Sequence, residues 1–108
     1  MSKEASKPSV SIIVPAYNEE ALLENNLRQI HSHLLEPQRD FDWEILIVND
    51  GSTDDTGEIA TRFADSHTNV RVLHHPHNFG LGQALKFGFA NTSSDYVVFH
   101  CRVSIVCT

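Results

Sequence analysis

Glu44-Ile45-Leu46-Ile47-Val48-Asn49-Asp50-Gly51-Ser52-Thr53-Asp54-Asp55-Thr56 reads as a strand, a tight turn and the start of a helix. Glu44 to Val48 is an apolar, largely β-branched run suited to a buried strand, and Asn49 to Ser52 is a dense turn signal. Ser52 or Thr53 is available as the helix cap. Asp54 and Asp55 then fall in the first turn as partners of the helix dipole, and Ile59, Ala60, Phe63 and Ala64 make an apolar stripe behind them.

The same succession recurs on both sides of this stretch. Val10-Ser11-Ile12-Ile13-Val14 predicts a first strand ended by Pro15. Asn18 is placed to cap the helix that follows, Glu19 and Glu20 suit its positive end, and Leu23, Leu27, Ile30 and Leu34 give it one apolar face before Pro37 stops it. Val70-Arg71-Val72-Leu73 predicts a third strand. A loop through Pro76, Asn78, Gly80 and Gly82 leads to a helix whose inward face would be Leu81, Ala84, Leu85 and Phe89, and Tyr96-Val97-Val98-Phe99 predicts a fourth strand. Strands alternating with helices at this spacing imply an α/β fold, with an open, mainly parallel sheet and helices on both faces. Residues 1–8 are polar and are expected to be a flexible segment, and residues 9–108 to form one incomplete domain.

Composition narrows the function classes. The 108 residues, 41% hydrophobic, allow one modest core. A formal charge of -6 without a Lys/Arg cluster argues against nucleic acid as a partner. Met1 to Pro8 has no apolar h-region behind it, so folding in the cytosol is expected, with Cys101 and Cys107 as free thiols. Arg102 interrupts the only late apolar run, so no membrane-crossing segment is expected.

In an open α/β sheet, ligands bind beyond the carboxyl ends of the strands. Tyr17-Asn18-Glu19, Asp50-Gly51-Ser52 and Asn78 to Gly82 follow strands one, two and three, so three polar loops gather on one edge. Asp50 is placed to accept from a ribose hydroxyl or a base N–H, and Gly51 to let a ligand approach the backbone, although the tripeptide could also be only a turn and cap. Gly80-Leu81-Gly82 is not a dinucleotide fingerprint, because it follows the third strand and Leu85 stands at the third small position. It could lie beside a pyrophosphate or be a plain connection.

Ser11-Ile12-Ile13-Val14-Pro15-Ala16-Tyr17-Asn18-Glu19, the stretch Ile47 to Thr56, and Asn78-Phe79-Gly80-Leu81-Gly82-Gln83-Ala84 resemble the successive opening motifs of family 2 glycosyltransferases of the GT-A fold. The third motif resembles that of the polyprenol-phosphate and dolichol-phosphate mannose or glucose synthases. The resemblance implies that Pro15, Ala16, Tyr17 and Glu19 line a nucleotide pocket, that Asp50 contacts the base or ribose, and that Gly80 and Gly82 lie near the nucleotide. It implies a GDP- or UDP-hexose donor, a lipid-phosphate acceptor, and a cytoplasmic location that includes the cytosolic face of a membrane.

The resemblance also implies an Asp-x-Asp motif after the fourth strand, holding Mg²⁺ or Mn²⁺ against the diphosphate. Here His100-Cys101-Arg102-Val103-Ser104-Ile105-Val106-Cys107-Thr108 carries no carboxylate, so no catalytic residue, no metal ligand and no turnover are expected of this chain. Asp40-Phe41-Asp42 precedes the second strand and belongs at the opposite edge. His100 is expected to be a partly buried strand-end residue. His74-His75-Pro76-His77 is a poor metal site, because consecutive histidines on an extended chain point to opposite faces. Asn91-Thr92-Ser93 reads as a polar loop. Two readings follow: a nucleotide-sugar-binding part of a hexosyltransferase, or a non-catalytic truncated or splice-variant chain that binds nucleotide or a protein partner.

Overall fold

The computed structural model describes residues 7–35 and 40–100. They run β1 (Ser9–Ala16), α1 (Leu23–Leu34), β2 (Asp42–Asp50), α2 (Thr56–Ser66), β3 (Val70–His75), α3 (Leu81–Ala90) and β4 (Tyr96–Phe99). The four strands form one sheet in the order β3-β2-β1-β4, and every neighbouring pair is parallel. This is the expected α/β class. Pro37, Cys101, Arg102 and Cys107 lie outside the described residues, as does most of the 1–8 segment, whose last member offers its carbonyl to the Asp42 N–H at 2.9 Å.

Both faces of the sheet are covered, so the central strands are apolar on both sides rather than alternating. Ile12, Val14 and Ala16 of β1 and Ile45 and Ile47 of β2 pack beneath α1 and α2, against Leu23, Leu27, Ala60 and Phe63. Ile13, Leu46 and Val48 face the other way and pack beneath Ala84, with Leu85 and Phe87 beside it. Leu27 is fully buried, a burial worth about 1.5–3 kcal/mol.

Several boundaries differ from the sequence reading. β1 continues through Pro15, paired with Val48, to Ala16. The Ile13 carbonyl accepts from the His100 N–H, so the pleat turns the donorless Pro15 nitrogen toward the same side, past the end of β4. β3 extends to His75, which places both histidines in a strand rather than a loop. α1 begins at Leu23, after a turn closed by the Leu22 and Leu23 N–H groups on the Glu19 carbonyl, so Asn18 is not its cap.

α2 begins at Thr56. Asp54 and Asp55 therefore precede the helix instead of occupying its first turn. On α3 the inward positions are Ala84 and Gly88, with Leu85 and Phe87 beside them, while Leu81 and Phe89 are exposed. A Cβ on Gly88 would sit 2.8 Å from Ile13 Cγ2, so the helix backbone lies directly on the sheet and its larger neighbours turn outward.

Candidate functional site

The first two loops at the carboxyl edge hold each other through side chains. Asn18 has the left-handed φ of 49°, which asparagine tolerates, and its Oδ1 accepts from the Thr53 N–H at 2.8 Å. In return the Asn18 N–H donates to Ser52 Oγ at 3.0 Å and the Glu19 N–H to Thr56 Oγ1 at 2.8 Å. Glu20 Oε1 accepts from the Asp55 N–H at 2.8 Å, and Asp54 Oδ1 accepts from the N–H and hydroxyl of the buried Thr56. Asp54 is thus an Asx-type brace at the start of α2. Burial pushes its carboxyl up, but the hydrogen bonds from Thr56 and the Glu20 backbone outweigh that and leave it below its ordinary value.

The second and third loops meet at Asp50, which is 3% exposed. Its Oδ1 accepts from His75 Nδ1 at 2.8 Å and from the Phe79 N–H at 3.0 Å; its Oδ2 accepts from Asn78 Nδ2 at 3.1 Å and from the Gly80 N–H at 2.9 Å. Both carboxylate oxygens are thereby engaged by the chain's own donors. Gly51, at φ +71°, completes the junction: a Cβ there would lie 2.1 Å from the His77 carbonyl carbon. The backbone that needs this glycine is the chain's own loop, not the ligand that the sequence suggested.

All seven candidate residues lie on this edge. Pro15 and Ala16 end β1, opposite Val48 and Asn49. Tyr17 follows with 43% of its surface exposed, and Glu19 is half-buried behind it. Gly80 and Gly82 flank the start of α3, and a Cβ on either would meet nothing within 4 Å, so this part of the loop is open. The leading N–H groups of α3 have no carbonyl within their own helix to bond, which suits an anion.

His75, Thr56 and Ser52 are the members that sequence reasoning missed as contacts. Register was the available signal for the first, because extending β3 by two residues sets His75 opposite Asp50. As expected of an extended chain, His74 and His75 diverge. His74 bonds Asn49 and Thr61 on the α2 face, while His75 lies against Phe79 and Phe87 on the other.

A divalent cation does not fit the described residues. Among the described residues no group of three or more His, Cys, Asp or Glu side chains could hold a metal ion. The sequence beyond Phe99 contains no carboxylate to add, and His100 is exposed rather than partly buried, with its backbone N–H on Ile13. Asp42 opens β2, which puts the chance Asp40-Phe41-Asp42 match at the far edge of the sheet. No helix among the described residues is long and apolar enough to cross a membrane.

Residues 11–100 match the family described as Glycosyl transferase family 2. A dolichyl-phosphate beta-glucosyltransferase of Trichomonas vaginalis is 38% identical over 92 residues, covering 82% of this chain and 28% of the relative. One from Dictyostelium discoideum is 35% identical over 81% of this chain and 28% of its own length. The mannosyltransferase PcManGT from Pyrobaculum calidifontis, solved in complex with GDP-Man and Mn²⁺, superposes with a TM-score of 0.76 at 28% identity, over 90% of this chain and 28% of that one. S. aureus TarS 1-349 in complex with UDP-GlcNAc gives 0.71 at 26% identity, over 86% and 26%. The chain therefore spans little more than a quarter of the length of these relatives, and its fold is that of GT-A glycosyltransferases.

Proposed function

Because the chain belongs to glycosyltransferase family 2, we propose that its carboxyl-edge loops bind the nucleotide of a nucleotide-sugar, with Pro15, Ala16, Tyr17, Glu19, Gly80 and Gly82 as the lining. The observation that carries this reading is the cross-tied edge, which leaves Tyr17 and the two glycines open above a fixed floor. Asp50 serves the pocket from beneath, through the loop it holds. The α3 N-terminus is the natural seat for the diphosphate.

In a protein of the relatives' length, such a pocket would present a GDP- or UDP-hexose to a polyprenol-phosphate acceptor at the cytosolic face of a membrane, with Mg²⁺ or Mn²⁺ offsetting charge on the leaving diphosphate. This chain supplies donor binding only. It has no carboxylate after β4, and we expect no sugar transfer from it alone.

Calorimetric titration with GDP and UDP tests the reading. One of them should bind saturably, about tenfold more weakly after Tyr17→Ala and nearly unchanged after Tyr17→Phe, since a stacked ring face is the lost element. The exposed Tyr96, Val98 and Phe99 on β4 favour a second reading, a protein-interaction module. That reading gains if neither nucleotide binds, and the pocket reading is then wrong.

A further inference from the structure

A second concave site lies away from the strand-end loops, between α1 and α2. It measures about 620 Å³ and is lined by Glu24, Arg28, His31, Arg62, Phe63 and His67. Its floor is fixed by aromatic packing. Phe63 stacks on His67 at 4.0 Å between ring centroids, and His31 meets His67 at 4.4 Å and Trp43 at 5.5 Å, edge-on.

One hydrogen bond sets the chemistry of this floor. His67 Nδ1 lies 2.8 Å from the Phe63 carbonyl, which can only accept, so the neutral ring carries its proton on Nδ1 and turns Nε2 free. The His31 imidazole makes only ring contacts, with Trp43, Phe63 and His67, among the described residues. Burial, and then the neighbouring His67, hold the His31 pKa below its ordinary value.

The walls supply cations in an acidic protein. The chain has only eight Lys and Arg against fourteen Asp and Glu, yet two arginines and two histidines surround this one cavity. Glu24 bonds Arg28 at 2.7 Å; that contact and the more distant Arg62 charge hold its carboxyl below its ordinary value. Glu24, bonded by the Arg28 guanidinium, is an internal carboxylate on the cation that an external oxyanion would also use. The adjoining hollow, lined by Glu20, Asp55 and Glu58 as well as Arg62, is acidic on balance.

We propose that the α1–α2 groove is a binding site for a phosphate-type oxyanion, held by Arg28 and Arg62 over the His31–His67 pair, independent of the nucleotide edge. The phosphate could come from a small phosphorylated molecule or from a lipid headgroup. Titration of the full chain with inorganic phosphate, followed by NMR of the imidazole signals, tests the site. His31 and His67 should shift saturably while His74, bonded within the chain, stays still. Arg28→Gln with Arg62→Gln should weaken the binding about tenfold or more, and Glu24→Gln should tighten it, because the internal competitor is gone.

Phosphatidylcholine vesicles with and without phosphatidic acid separate the two sources. Retention only by the phosphatidic acid vesicles places the phosphate on a lipid; a response to inorganic phosphate alone places it on a small molecule. All three substituted positions are exposed, so circular dichroism should show the fold retained. The proposal is overturned if chloride at equal ionic strength reproduces the shifts, if the arginine variants bind phosphate unchanged, or if neither phosphate nor phosphatidic acid engages the histidines.

Discussion

Replacing Asp50 by Asn keeps the shape of the side chain and removes one acceptor. Of the four donors on the carboxylate, two can adapt: Asn78 can rotate its amide and His75 can move its proton to the other nitrogen. The Phe79 and Gly80 N–H groups cannot adapt, and they lie on different oxygens. Whichever way the new amide turns, one backbone N–H faces an NH₂ group. An orphaned buried donor costs about 1–3 kcal/mol, and the remaining bonds fall from charge-assisted to neutral strength. Easier burial of a neutral amide offsets part of this, so Asp50→Asn should destabilise by about 2–4 kcal/mol, a large share of a small domain's stability. Urea unfolding measures the total, and amide hydrogen exchange locates it, with faster exchange at Phe79 and Gly80. A loss under about 1 kcal/mol with both amides still protected would refute the role given to this carboxylate.

Three further outcomes follow from the same geometry. Gly51→Ala must hold a left-handed φ and move the His77 backbone, so it should cost about 3 kcal/mol or more in urea unfolding and loosen the same amides. His31 has a folded pKa below 6.5, so its contribution is complete above that value and is lost as pH falls toward the folded pKa; stability should drop as pH falls below 6.5, less steeply in His31→Phe, as urea unfolding across that range measures. Mn²⁺ should change the affinity of this chain for GDP or UDP by less than about twofold, measured calorimetrically with and without EDTA, because hard-cation ligands are missing after β4.

Much of the architecture was legible because its signals are local. β-branched runs marked each strand, and the Leu23, Leu27, Ile30 and Leu34 spacing marked the buried face of α1. The failures came where distant contacts override local preference. Asn18 has the chemistry of a helix cap, but Ser52 and Thr53, more than thirty residues away, recruit it into a brace between loops. Leu81 and Phe89 look like core residues, yet the close seat of Gly88 on Ile13 rotates α3 and leaves them outside.

The candidate edge was legible in the same partial way. The strand-end rule gathered the three loops, but Asp50 as the knot between the second and third required the register that brings His75 opposite it. The α1–α2 groove had no signature at all, because its cations come from two helices that meet only in the folded chain.

The braces between residues 18–20 and 52–56 also bear on the entropy of association. Loops that order only around a ligand lose backbone freedom at that moment, about 1–2 kcal/mol for each residue fixed. Here the ordering is completed as the domain folds, with two polypeptide segments serving as each other's template. An incoming molecule therefore meets walls already set, and its contacts are spent on recognition rather than on organising the protein.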